Sequence, residues 1–150
     1  MSSKTEYLMK QGLIKPPKHI KNAIQQISFD HFNISLEGIG CFPNTNRIRV
    51  VWIGISEGKE ALKKLASLIE EEMVQLGFSK EKRRFSPHFT LGRVKYLKEE
   101  GRELLIKKIE ESKGFYFGSQ SIDRFILKKS TLTPKGAIYD DLFVVSSSQE

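Results

Sequence analysis

At 150 residues the chain is long enough for one well-cored domain and short for two, and its 39% hydrophobic content argues against a disordered polypeptide. Its 25 Lys and Arg outweigh 18 Asp and Glu, a net charge of +7 that favours polyanionic partners, nucleic acid foremost. A lone cysteine, Cys41, excludes an internal disulfide, and no apolar run reaches membrane-spanning length, so a soluble cytoplasmic protein without a signal peptide is expected.

Residues 1–15 are polar with scattered apolar positions and no convincing period, an atypical arm. Pro16 and Pro17 suit the first turn of a helix whose apolar stripe is Ile20, Ala23, Ile24 and Ile27. From Phe29 the period changes to two, with Phe32, Ile34 and Leu36 alternating against His31, Asn33 and Ser35. Gly38 and Gly40 are expected to break this strand, and 41–44 reads as a strand end and turn. The nearly unbroken apolar run 47–55 predicts a central strand. Leu62, Leu65, Ile69, Met73 and Leu76 repeat at helical spacing, with Ser56 or Glu57 to open that helix and Gly77 to cap it.

A charged connector over 78–84 leads into a strand at 85–95, and Leu97, Leu104, Leu105 and Ile109 predict a second amphipathic helix over 97–112. Strands follow at 115–117, 122–127 and 139–145, with a turn at 132–136 and a polar tail at 146–150. The whole suggests one α+β domain over 1–150 with mainly antiparallel pairing, its core over 16–145 between the arm and the tail. A faint echo relates helix, strand, turn and strand in 16–55 to the same order in 97–145, as two similar lobes would.

The sharpest chemical signal is Phe85-Ser86-Pro87-His88-Phe89-Thr90-Leu91-Gly92-Arg93-Val94-Lys95, preceded by Arg83 and Arg84. Strand parity places His88 and Thr90 on one face, where an imidazole can carry a proton and a hydroxyl and nearby cations can hold phosphate oxygens. Arg93 lies an odd number of residues from His88 and reaches the same face only if Gly92 marks a bulge or twist. His31 is a weaker catalytic candidate and His19 reads as a surface residue. Cys41 reads as a small hydrophobe rather than a nucleophile. No ligand pair has zinc-like spacing and no glycine-rich phosphate loop is present, so no metal or cofactor is expected.

This stretch resembles the second signature motif of the two-histidine phosphoesterases, in the bacterial and archaeal branch of 2′-5′ RNA ligases and RNA 2′,3′-cyclic phosphodiesterases. Gly38-Ile39-Gly40-Cys41-Phe42-Pro43-Asn44, the run Arg49-Val50-Val51-Trp52-Ile53-Gly54, and 130–139 resemble the same family's middle and C-terminal segments. The resemblance implies a two-lobed α+β fold with flanking helices and a central cleft, each lobe supplying one His-x-Thr/Ser pair. It also implies metal-free opening of RNA 2′,3′-cyclic phosphates, or 2′-5′ joining of tRNA fragments. His88 would carry one acid/base role, Thr90 would bind phosphate, and Arg83, Arg84, Arg93 and Lys95 would bind substrate.

The first His-x-Thr/Ser pair of that pattern is missing from this sequence: matching Gly12 to the family's glycine puts Thr5 and Tyr7 in its place. The first lobe is thus expected to be incomplete, leaving a sheet edge that invites pairing with a second chain. An RNA-binding remnant with impaired catalysis is the alternative reading.

Overall fold

The computed structural model describes residues 18–148. The arm, with Thr5, Tyr7, Gly12 and the Pro16-Pro17 pair, lies outside them. Among the described residues nine elements follow in order: α1 (Lys18–Gln25), β1 (Phe32–Asn44), β2 (Arg47–Ile55), α2 (Lys59–Gln75), β3 (Phe89–Arg93), α3 (Glu99–Glu111), β4 (Tyr116–Ile122), β5 (Arg124–Thr133) and β6 (Gly136–Ser146). The class is α+β, and every strand pair whose register is defined runs antiparallel.

The chain divides into two compact units, each drawn from separate stretches. The first takes 18–31, 64–84 and 122–148. There Ile20 and Ile24, one helical turn apart, are the buried face of α1, and Ile27, Phe29, Leu65 and Val145 are buried with them. Phe29 meets Phe125 with ring centroids 5.8 Å apart, and the Lys21 ammonium lies 4.7 Å from the centre of the Phe143 ring. The β5–β6 hairpin closes through Pro134 and Lys135, where the Thr133 hydroxyl accepts from the Lys135 amide (3.2 Å) and donates to the Gly136 carbonyl (2.7 Å). Both strands are longer than the sequence suggested, because their polar ends pair as well as their apolar middles.

The C-terminal end of α2 belongs to this unit and is closed as expected at Gly77. With φ at +88°, Gly77 donates to the Val74 carbonyl and Phe78 to that of Met73, the paired bonds of a Schellman cap.

The second unit takes 32–63 and 85–121 and holds a four-stranded sheet in the order β3-β2-β1-β4. Its buried apolar side chains are Ile34, Ile48, Ile53, Ile55 and Ile109, the last on α3. The two glycines do not end β1, which continues from Phe32 to Asn44. Gly38 absorbs a bulge at φ +68°, its amide donating to the Phe115 carbonyl (3.0 Å). The predicted strand over 85–95 shortens to Phe89–Arg93, so 85–88 approaches the sheet without joining it. On α3 the buried stripe differs by one position: Leu104 is exposed, while Leu105 and Ile106 are half-buried beside Ile109.

The internal echo has a structural counterpart with crossed partners. Helix α1 packs on β6, from the later hairpin, and α3 packs on β1, from the earlier one.

Candidate active site

The site grows from the register of β2 with β3. Trp52 pairs with Thr90 and Val50 with Arg93, while Val51 pairs with Gly92. One residue of β3, Leu91, is therefore extra: the bulge foreseen at Gly92 falls one position earlier. Trp52 and Val50 are two apart on β2 and share a face, so their partners Thr90 and Arg93 share it too. The bulge cancels the odd spacing that would have sent Arg93 to the opposite side.

His88 stands one residue before β3, on the same side as Thr90, because its ring meets the ring of Trp52 (centroids 6.2 Å) and, edge-on, that of Phe42 (5.1 Å, 82°). Phe42 and Trp52 also stack on one another at 5.0 Å. The two aromatics form a shelf, and the imidazole leans on it. Gly40 makes room for the shelf: a Cβ there would stand 2.3 Å from Cζ2 of Trp52, well inside contact distance. Pro87 beside His88 is buried, although the imidazole itself is exposed.

A hydrogen bond fixes the proton of His88. Nδ1 lies 2.6 Å from the Ser86 carbonyl oxygen, which can only accept, so Nδ1 must carry the hydrogen and donate. The neutral ring is then left with its lone pair on Nε2, which has no hydrogen-bond partner among the described residues. An imidazole with one nitrogen anchored and the other free can take a proton from water or, once charged, give one to a leaving oxygen.

Arg93 and Lys95 line a shallow pocket of about 520 Å³ at the end of β3, together with Arg47, Arg49, Tyr96 and Arg102. Val94 is tied there by its amide, which donates to the Arg49 carbonyl at 2.9 Å. Arg83 and Arg84 are exposed in the connector of the first unit, whereas His88 belongs to the second. His19 and His31 are likewise exposed residues of the first unit. Cys41 is half-buried on β1, and desolvation pushes its thiol pKa up, which disfavours the thiolate. Among the described residues no group of His, Cys, Asp and Glu is placed to hold a metal ion, and no helix is long and apolar enough to cross a membrane.

Sequence reading singled out His88 and Thr90 but missed the shelf beneath them. Its signal was present: Gly40 and Phe42 alternate on one strand, and a wide ring on the neighbouring strand needs a glycine opposite.

A family model for the AKAP7 2'5' RNA ligase-like domain matches residues 2–142, taking in most of the arm as well as the described core. An RNA 2',3'-cyclic phosphodiesterase of Archaeoglobus fulgidus is 43% identical over 125 residues, covering 83% of this chain and 68% of that protein. One from Aeropyrum pernix is 36% identical over 129 residues, covering 86% and 72%. Among solved structures, Escherichia coli LigT complexed with 3'-AMP superposes with a TM-score of 0.65 at 21% identity, covering 99% of this chain and 72% of that one, a likeness of fold. The chain belongs to the 2'-5' RNA ligase-like family of two-histidine phosphoesterases.

Proposed function

We propose that this chain opens 2′,3′-cyclic phosphates at RNA ends, the activity for which its relatives from Archaeoglobus fulgidus and Aeropyrum pernix are named. The observation that carries the reading is the anchored His88 imidazole, with Nε2 free, on the face that also bears Thr90 and Arg93. In hydrolysis a water oxygen bonds to phosphorus as the bond from phosphorus to O3′ breaks, giving a 2′-phosphate and a 3′-hydroxyl. His88 Nε2 either takes the proton of the attacking water or delivers one to O3′. The Thr90 hydroxyl and the Arg93 guanidinium hold the non-bridging oxygens as their charge grows, and Lys95 draws the RNA end in. The substrates are RNA or tRNA fragments in the cytoplasm, and in joining through a 2′-5′ linkage an RNA 5′-hydroxyl takes the place of water, bonding to phosphorus as the bond to O3′ breaks. The outer edges of the sheets offer a second copy a place to pair.

One observation favours a second reading, a binder of RNA ends with little turnover: of the three histidines only His88 sits in a His-x-Thr/Ser pair. Incubation with a nucleoside 2′,3′-cyclic phosphate, followed by phosphorus NMR, separates the two. A 2′-phosphomonoester that accumulates with enzyme concentration is expected. An unchanged cyclic phosphate, with the nucleotide still bound, would establish the binder.

A further inference from the structure

The pocket at the end of β3 is larger in charge than a single reacting phosphate requires. Its lining holds five cations, Arg47, Arg49, Arg93, Lys95 and Arg102, and no carboxylate. Arg102 is neutralised by Glu99, and its guanidinium also reaches the Thr45 carbonyl at 3.4 Å. The other four have no acidic partner among the described residues, although surface cations in this chain commonly find one: Lys63, Lys108, Lys113 and Lys128 each do. Four unpaired cations around one concavity repel each other, and an anion relieves that repulsion. Beside them stands Tyr96, 80% exposed, a wide ring facing solvent.

The register places this pocket next to the proton-transfer face without merging the two. Arg93 sits opposite Val50 and Thr90 opposite Trp52, two residues along β2, which is roughly 7 Å by the rise of a strand. Arg47 and Arg49 extend the cationic line further from His88 along the same strand. A chain of phosphates that begins at His88 and runs along β2 would meet these cations in turn.

We propose that this pocket is a second phosphate subsite, which binds the backbone of a single-stranded RNA whose terminal cyclic phosphate lies at His88, with Tyr96 stacking on one of its bases. The assignment rests on the proposed function for the location of the reacting end, and it makes a polynucleotide, not a mononucleotide, the preferred substrate. Arg47 and Arg49 are backbone-binding residues, and aromatic stacking tolerates any base, so the subsite reads length and charge rather than sequence.

The test compares the full chain with the R47Q/R49Q and Y96A variants on two substrates, a nucleoside 2′,3′-cyclic phosphate and a six-nucleotide RNA ending in one. R47Q/R49Q should raise the ratio of the oligonucleotide KM to the mononucleotide KM at least fivefold, and Y96A at least threefold. Fluorescence anisotropy of a labelled six-nucleotide RNA with a 3′-phosphate gives a reading that needs no turnover. There R47Q/R49Q should lower the slope of log Kd against log salt by about one to two charges. An unaltered KM ratio, or wild-type RNA affinity and salt slope in R47Q/R49Q, would overturn the subsite. Binding of poly-aspartate as tightly as of RNA would overturn it too, by assigning the patch to acidic protein segments. Loss of turnover on both substrates in the wild type would sink the phosphodiesterase reading alone, leaving the subsite to be judged by anisotropy.

Discussion

At the scale of single residues, the chemistry depends on side chains that never touch substrate. In the proposed reaction the reach of His88 depends on Ser86, which holds Nδ1, and on the Phe42–Trp52 shelf, which meets its ring. Gly40→Ala forces a methyl group into the Trp52 indole, so it should destabilise the fold by about 1–3 kcal/mol and lower turnover more than overall folding accounts for. Thermal melts beside initial rates check this. Cys41 behaves oppositely to a nucleophile: its desolvated thiol has a raised pKa, so the folded state disfavours the thiolate. Its contribution to stability is thus complete below the ordinary thiol range, about 8.5, and is lost as pH rises through the higher folded value. Iodoacetamide at pH 8 should label Cys41 several-fold more slowly in the native protein than in urea. The His88–Thr90 pair was legible in the sequence because strand parity alone predicts it. The anchoring by Ser86 was not, since it depends on 85–88 staying outside the sheet.

At the scale of elements, one inserted residue decides which cations can serve the site. With Leu91 bulged, Arg93 joins Thr90 on the face of Trp52; deletion of Leu91 leaves the two residues two apart on a regular strand and keeps Arg93 on that face. The deletion variant should therefore bind a nucleoside 2′-phosphate about as well as the unaltered chain, whereas Arg93→Ala should lose most of the affinity and Arg93→Lys retain part of it. Titration calorimetry distinguishes the three. In the first unit, α1 is held by Ile20 and Ile24, which are only 2% and 3% exposed, and Ile24→Ala should cost about 2–5 kcal/mol in urea unfolding. Helices were the most legible elements, because the stripe Ile20, Ile24, Ile27 and the Gly77 cap are local patterns. The strands were less so. Gly38 and Gly40 read as breakers, yet one is a bulge and the other a seat for an indole, both defined by neighbours remote in sequence.

At the scale of the whole molecule, α1 and α3 each pack on a hairpin from the other half of the sequence, which no linear reading could order. The faint internal repeat pointed to two similar halves, and the interleaving of the units follows from that exchange of partners. The net charge of +7 likewise favours a polyanion without locating it; the proposed subsite would place it at the cations beside β3, four of which have no acidic partner among the described residues. The central claim is that His88 moves a proton in opening a cyclic phosphate, and it is tested most directly by single-substrate rates. Wild-type chain and His88→Ala are compared on a nucleoside 2′,3′-cyclic phosphate under identical conditions, with circular dichroism to confirm that both are folded. The account predicts a fall of about 10²–10⁴ in kcat for the variant, with binding largely kept. Equal rates in the two proteins, whether at background or above it, would contradict it.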